Sequence, residues 1–285
     1  MIQSLFVHWD ASPFIFTIGS FGIRWYSILF VTGFVLGYYL FQHFFKKEGL
    51  PGDKLLDPLL YTLAIATIIG ARLGHCLFYD AAYYLGSWEG FLEIFMPWKG
   101  GLASHGGAIA LLIAMWWFSR KYGRQYGFGY LWILDRLVIT VCFAGAFIRL
   151  GNLFNSEIYG NVTSLPWGFI FERNGETLPK HPTQLYEALS YTVLGLALMW
   201  LYENKLDKLK SGTILGIFFI VLFGMRFLIE FIKEPQVAFE NDMALNMGQI
   251  LSIPFIVGGL AVLLWSIFRG SPAKSEFSAK KKPVR

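Results

Sequence analysis

Seven long apolar segments constrain the fold of this chain more than any other feature of its sequence. A helix needs about 20 mostly apolar residues to cross a bilayer, and the lipid interior admits only helices or closed barrels. Only 15% of the residues are charged, against roughly a quarter in soluble domains. The sequence therefore predicts an all-α integral membrane protein over residues 1–269, with transmembrane helices at 20–45, 55–79, 101–119, 132–153, 185–202, 211–233 and 247–268.

Lysine and arginine in the connections between these segments predict the orientation. The connections after the first, third and fifth segments hold, together with the C-terminal tail, fifteen of them, whereas the N-terminus and the alternate connections hold four. Such an excess is typical of the cytoplasmic side. We therefore predict an outside N-terminus, a cytoplasmic C-terminus and a disordered basic cytoplasmic tail at residues 270–285. The long connections 84–101 and 156–182 predict a small periplasmic loop region.

The composition offers little support for several other kinds of partner or cofactor. The net charge is +5, but the basic residues lie in loops and the tail without a basic helix face, so no nucleic-acid partner is predicted. Cys76 and Cys142 lie inside apolar segments, which predicts buried side chains and no disulfide framework. The sequence has no His-Glu-x-x-His motif and no cysteine pair, so we predict no metal and no cofactor.

Polar side chains within the apolar segments indicate where a function resides, because charges are costly at bilayer depth. The inner half holds Asp57 and the adjacent Asp135 and Arg136, which we interpret as interfacial. A proton or ion pathway would place polar groups through the full thickness, so the asymmetry favours a site in the outer leaflet. With the predicted orientation, that outer half holds Arg24, Tyr26, Arg72, His105, Arg149, Asn152, Asn155, Glu157, His181, Gln184, Glu187, Arg226 and Glu230.

Structural roles compete with functional ones at several of these positions. Arg226 and Glu230 are one helical turn apart, and mutual neutralisation would explain both. Arg24 lies where a long side chain reaches the lipid headgroups. His105 lies between two glycine pairs, which allow a ligand or another backbone to approach closely. Arg149 lies nearly a turn inside its segment, and a purely structural role is the weaker interpretation for it.

Five short motifs follow one another along the chain. They are Arg24-Trp25-Tyr26, GGLASHGG at 100–107, IRLGNLFNSEIYG at 148–160, HPTQLYE at 181–187 and RFLIEF at 226–231. In this order they resemble the motifs of the prolipoprotein diacylglyceryl transferase family. Two positions depart from the family pattern: Ser156, where many members have glycine, and Lys233-Glu234-Pro235, where many have Arg-x-Pro.

The resemblance implies an enzyme of the bacterial inner membrane. Its partners would be phosphatidylglycerol and lipobox-containing preprolipoproteins, and it would transfer the diacylglyceryl group to the lipobox cysteine thiol with release of glycerol phosphate. Since the phosphate gains a second negative charge, Arg149 and Arg226 are expected to bind it. His105 is expected to act as the base for the thiol or to hold the lipid. The remaining site residues, expected to bind substrate, are Tyr26, Asn152, Asn155, Glu157, Gly160, His181, Gln184 and Glu230.

Two other hypotheses remain open. A lipid or anion transporter would bind phosphate through the same outer-leaflet arginines, and it predicts a polar lining that continues to the cytoplasmic side. An intramembrane acyltransferase would use a different lipid donor and would leave an acyl group on its acceptor.

Overall fold

The computed structural model describes residues 6–19, 21–235 and 243–275, and these residues are mostly helical. Short 3-10 turns extend α7 to Lys208 and α8 to Ile232. The helices are α1 (Trp25–Lys47), α2 (Gly52–Phe78), α3 (Ala81–Gly86), α4 (Trp88–Glu93), α5 (Ser104–Tyr126), α6 (Tyr130–Phe154), α7 (Thr183–Lys205), α8 (Thr213–Ile229) and α9 (Met247–Arg269). The strands are β1 (Val7–Trp9), β2 (Phe14–Ile18), β3 (Phe21–Arg24) and β4 (Phe169–Phe171).

Six helices in the described part of the chain are long and apolar enough to cross a membrane: α1, α2, α6, α7, α8 and α9. The multi-pass helical architecture is thereby confirmed. The predicted segment 101–119 is also helical, as α5, but His105 at one end and Arg120 and Lys121 at the other make it less apolar than the six. The first predicted segment, 20–45, becomes helical only at Trp25, and residue 20 lies outside the described residues.

Contacts divide the chain into two compact units. The first unit comprises Met1–Leu40 and Asp135–Lys274, and the second comprises Phe41–Leu134 and Ser275–Arg285. In the first unit, α8 and α9 meet at Gly216 and Gly259, and a Cβ atom on either glycine would lie 3.0 Å from the other's carbonyl oxygen. Small residues therefore allow the two helices to pack closely, as is usual between membrane helices.

Two short strand pairs lie at one end of α6 in the first unit. β1 pairs in parallel with β4, and Leu153 packs into the apolar cluster formed with β4, which Trp9 also contacts. The indole of Trp9 donates a hydrogen bond of 3.0 Å to the carbonyl of Leu153. β2 and β3 form an antiparallel hairpin, and Arg24 at its end lies over the ring of Phe14 at 5.1 Å. The end of α6 is thus fixed in place by residues far away in the sequence.

In the second unit, α2 and α5 pack through glycines, and a Cβ atom on Gly74 would lie 2.6 Å from the Cα of Gly106. Arg72 on α2 is buried and donates hydrogen bonds to main-chain carbonyls of the 93–101 connection, including Ile94 at 3.1 Å and Gly100 at 2.6 Å. These hydrogen bonds give Arg72 a structural role, which accounts for a charged side chain within an apolar segment. Cys76 is buried and free, as predicted, and so is Cys142 of the first unit.

Asp135 and Arg136 are fully buried within the protein, and their predicted place at the membrane interface stays a prediction. The carboxylate of Asp135 accepts hydrogen bonds from the main-chain N–H groups of Gly212 at 2.7 Å and Leu215 at 2.8 Å. It thereby satisfies N–H groups at the start of α8 that have no partner within the helix. Arg136 donates a hydrogen bond of 2.7 Å to the carbonyl of Ala273.

The first residues of the predicted tail are packed against the first unit. Ser211 donates its N–H to the carbonyl of Ser271, and Ala273 donates its own to the carbonyl of Leu209. Ala273 is only 1% exposed. Residues 276–285, the remainder of the predicted tail, lie outside the described residues.

Candidate active site

A row of hydrogen bonds runs from the last two turns of α6 into the connection that follows it. Nη1 of Arg149 donates to Oδ1 of Asn152 at 3.3 Å, and Nδ2 of Asn152 donates to Oε1 of Glu157 at 2.7 Å. Nδ2 of Asn155 donates to the same carboxylate oxygen at 3.0 Å. Arg149 and Asn152 are three residues apart and therefore share one face of the helix. The structure thus brings together four of the predicted site residues.

The connection after α6 has a strained backbone. Ser156 has a φ of 54° and Ile158 a φ of 61°, in the left-handed region that a β-branched residue rarely adopts. Hydrogen bonds to its carbonyl groups hold it there: Thr183 donates to Ile158 at 2.8 Å, and Gln184 donates to Glu157 at 2.6 Å. Strain of this kind persists only where the surroundings enforce it, and it is concentrated at functional sites.

A second network extends from the other side of the Arg149 guanidinium. Nε of Arg149 lies 2.9 Å from Oε2 of Glu187, and the other oxygen of Glu187 lies 3.2 Å from Nζ of Lys233. Lys233 in turn lies 3.0 Å from Oε2 of Glu230. The side chain of Glu187 is 0% exposed and that of Lys233 is 4% exposed. Positive and negative charges alternate along this buried row, so each charge has a partner of opposite sign.

Arg226 is not part of that row. Within the described residues its guanidinium makes no hydrogen bond or ion pair, and Glu230 pairs with Lys233 instead. The mutual neutralisation of Arg226 and Glu230 is therefore not what the structure shows. Tyr191, buried on α7, lies near the charges of both Arg149 and Arg226. Arg226 thus lies beside the network with its own charge uncompensated by an ion pair.

The site thus contains Arg149 paired with Glu187, Arg226 without an ion pair among the described residues, and a strained connection after α6. Comparison with known proteins shows the family to which the chain belongs. A family model described as prolipoprotein diacylglyceryl transferase matches residues 13–265. The chain belongs to this family. The resemblance read from the five motifs is thereby confirmed.

Relatives of this transferase family align along almost their whole length. A protein of Tolumonas auensis is 44% identical, over 90% of this chain and 96% of its own. Relatives from Bacteroides fragilis, 42% identical, and Porphyromonas gingivalis, 44% identical, cover 90% and 94% of this chain and 94% and 96% of their own. All three are named phosphatidylglycerol–prolipoprotein diacylglyceryl transferase. These names describe enzymes and do not favour the transporter alternative.

Two predicted residues of the transferase site, Tyr26 and Gly160, make close contacts with the backbone of neighbouring segments. The ring of Tyr26, at the start of α1, packs on Gly151, where a Cβ atom would lie 2.7 Å from Cδ2 of the tyrosine. Gly160 donates its N–H to the carbonyl of His181 at 2.8 Å and forms an antiparallel bridge with Lys233. A side chain on Gly160 would meet the carbonyl of Ile232. Gly160 therefore holds the segment that carries Lys233.

The two predicted histidines occupy different settings. His181 precedes α7, and its Nδ1 lies 3.2 Å from the hydroxyl of Tyr186. Burial lowers the pKa of His181, because the charged imidazolium loses solvation. His105 is the second residue of α5 in the second unit, and its side chain is exposed. The roles of both histidines toward a substrate stay predictions.

Sequence reasoning missed two members of the network. Glu187 was noted for its depth but was not assigned to the site, and Lys233 was noted only as a departure from the family motif. The signal for Glu187 was present, since it closes the HPTQLYE motif one turn after Gln184. The departure at Lys233 preserves the positive charge of the arginine found in many members, which explains why it can be accommodated between two carboxylates.

The departure at Ser156 leads to a prediction, because a φ of 54° favours glycine. We expect Ser156→Gly to raise the free energy of unfolding by about 0.5–1 kcal/mol. The left-handed strain of about 1–2 kcal/mol exceeds the entropic cost of a glycine, about 0.5–1 kcal/mol. The thermal midpoint in detergent measures the change. Ser156→Ala is the matched control, since it retains the strain; a lower midpoint for Ser156→Gly than for Ser156→Ala would contradict the prediction.

Proposed function

We propose that this protein transfers the diacylglyceryl group of phosphatidylglycerol to the lipobox cysteine thiol of a preprolipoprotein. The printed names of its relatives support the lipid donor and the protein acceptor. The observation that carries the proposal is the pair of arginines: Arg149 is ordered by Glu187 and Asn152, and Arg226 has no ion-pair partner among the described residues. Such a pair suits an anion whose charge increases during the reaction.

The proposed reaction is an alkyl transfer. The thiolate sulfur forms a bond to the terminal glyceryl carbon of the diacylglycerol while the bond from that carbon to the phosphate oxygen breaks. The products are a thioether and glycerol phosphate, and the thiol proton passes to a base. Arg149 and Arg226 bind the phosphate and stabilise its second negative charge. Asn152, which is itself bonded to Glu157, holds the Arg149 side chain in position.

His105 is the proposed base, since a neutral imidazole has a nitrogen that accepts a proton and a free thiol is only a few per cent ionised near neutral pH. We expect the pH–rate profile of His105→Gln to differ in shape from that of wild type, because glutamine cannot accept the thiol proton. Initial rates of transfer measured across pH 5 to 9 test this role. If the two pH–rate profiles have the same shape, His105 is not the base and holds the lipid instead.

We further propose that the protein crosses the bacterial inner membrane seven times, with α5 crossing it in addition to the six helices α1, α2, α6, α7, α8 and α9. The N-terminus and the site then face the periplasm at the level of the outer leaflet, and the basic residues from 270 onwards face the cytoplasm. The excess of lysine and arginine in the predicted cytoplasmic connections supports this orientation. Labelling of single cysteines introduced at exposed positions before α1 and after α9, with a membrane-impermeant reagent, tests it.

The decisive experiment for the reaction uses the purified protein, phosphatidylglycerol and a lipobox peptide, with the mass of the peptide as readout. A diacylglyceryl adduct is the expected result. An acyl adduct would instead indicate the acyltransferase. An unmodified peptide, together with movement of lipid between leaflets of a vesicle, would indicate the transporter.

A further inference from the structure

Two amide side chains at the site have oxygen atoms with no hydrogen-bond partner among the residues that the structure describes. They are Oε1 of Gln184 and Oδ1 of Asn155, and both atoms are inaccessible to solvent. Gln184 is 0% exposed. Buried polar atoms are nearly always paired, so an unpaired acceptor indicates a donor that is supplied from outside the chain.

The identity of these atoms as oxygens follows from their neighbours. The nitrogen of Gln184 donates to the main-chain carbonyl of Glu157, and the nitrogen of Asn155 donates to its carboxylate. Both partners are pure acceptors, so each amide must present its nitrogen to Glu157 and its oxygen elsewhere. Glu157, which is exposed, therefore orients both amides so that neither oxygen is paired within the described residues.

The two acceptors are directly connected to the proposed phosphate site. From Arg149, two successive hydrogen bonds through Asn152 lead to Glu157, which holds both amides. A ligand with its phosphate at Arg149 would therefore bring the groups next to that phosphate toward Asn155 and Gln184. Those groups need hydrogen-bond donors, and the glycerol head of phosphatidylglycerol carries two hydroxyls.

We infer that Gln184 and Asn155 are specificity-determining residues that accept hydrogen bonds from the headgroup hydroxyls of the lipid donor. The inference rests on the proposed function and adds the chemical basis on which the donor is selected. A lipid with a phosphate but without headgroup hydroxyls leaves both buried acceptors unpaired. Unpaired acceptors penalise binding and the transition state of that lipid alone.

The test compares phosphatidylglycerol with phosphatidylpropanol, which has the same headgroup chain length and no headgroup hydroxyl. The acyl chains are matched, and kcat/KM for transfer to a lipobox peptide is measured with each lipid. We expect wild type to prefer phosphatidylglycerol by about 10- to 100-fold. Gln184→Met and Asn155→Leu, which preserve size, should each reduce this preference by about tenfold.

The ratio of the two kcat/KM values distinguishes recognition from structural damage. Loss of a hydrogen bond to Glu157 lowers the rates with both lipids equally, and only loss of the acceptor lowers the ratio. Asn204→Leu is the control, since Asn204 is an exposed amide near the end of α7 that donates a hydrogen bond of 2.9 Å to the carbonyl of Trp200 and has no proposed contact with the lipid. Its ratio should equal that of wild type.

Each outcome assigns the failure to one hypothesis. If wild type transfers equally well from both lipids, the headgroup inference is overturned and the proposed reaction stands. The inference is also overturned if wild type prefers phosphatidylglycerol and both site variants retain the full preference. Absence of transfer from either lipid would refute the proposed function, and with it the inference that depends on it.

Discussion

Arg149→Lys is expected to lower the rate of diacylglyceryl transfer by about 100- to 1000-fold, the range for loss of one preorganised donor to a developing anion. The guanidinium uses Nε for Glu187 and Nη1 for Asn152, so its planar fork can serve both and still face a phosphate. A lysine retains the charge beside Glu187 but has a single ammonium for all three partners. The initial rate of adduct formation on a lipobox peptide measures the loss.

The control for this variant is Arg120→Lys. Arg120 is exposed on α5, with its guanidinium 5.4 Å from the ring of Trp116, and it has no proposed part in the reaction. It should transfer at the wild-type rate. The phosphate assignment is wrong if Arg149→Lys retains more than a tenth of the wild-type rate while its thermal midpoint is unchanged.

The apolar pattern was sufficient to predict most of the helices of this fold. The last predicted segment, 247–268, corresponds to α9 at Met247–Arg269, and its start is marked by the Asn246–Gln249 capping box. Helices that cross a membrane must satisfy their own backbone, so their sequences are uniformly apolar and easy to recognise. The segment at α5 was harder to classify, because polar residues at both ends dilute its apolar run.

Part of the site was also predictable, because polar residues at a shared depth on different helices must face one another. This reasoning placed Arg149 of α6, Glu187 of α7 and Glu230 beyond α8 at one level. The pairing of these residues was not predictable. α8 ends at Ile229, a 3-10 turn follows, and Lys233 is then extended with a ψ of 142°. That local change of backbone directs Lys233 to Glu187, and apolar periodicity carries no information about it.

The interpretation of Asp135 and Arg136 shows the same limit. From the sequence, a charged pair in the inner half suggested contact with the membrane surface. The structure shows a role that the sequence did not indicate: the carboxylate caps α8, which begins 78 positions after Asp135 at Thr213. A cap supplied by another helix has no signature in the sequence of either helix, since the local N-cap of α8 is Gly212.

Lys233→Met is expected to lower the free energy of unfolding by about 3–5 kcal/mol, the usual cost of breaking a buried ion pair by removing one partner. The methionine fills the same space but leaves Glu230, 6% exposed, without its cation. Glu187 retains Arg149 as a partner, so the excess negative charge resides mainly at Glu230. Thermal or denaturant unfolding in detergent measures the change, and Lys233→Arg should retain most of the stability.

The same charge argument predicts that a second substitution partly repairs the first. In the Lys233→Met background, Glu230→Gln removes the unpaired carboxylate, so the double variant should be more stable than Lys233→Met alone. The effects of the two substitutions are then non-additive by roughly 1–3 kcal/mol, as is usual for residues in direct contact. Strictly additive effects would mean that Lys233 stabilises the fold by packing rather than by its charge. In that case the alternating row from Arg149 to Glu230 does not act as one electrostatic unit.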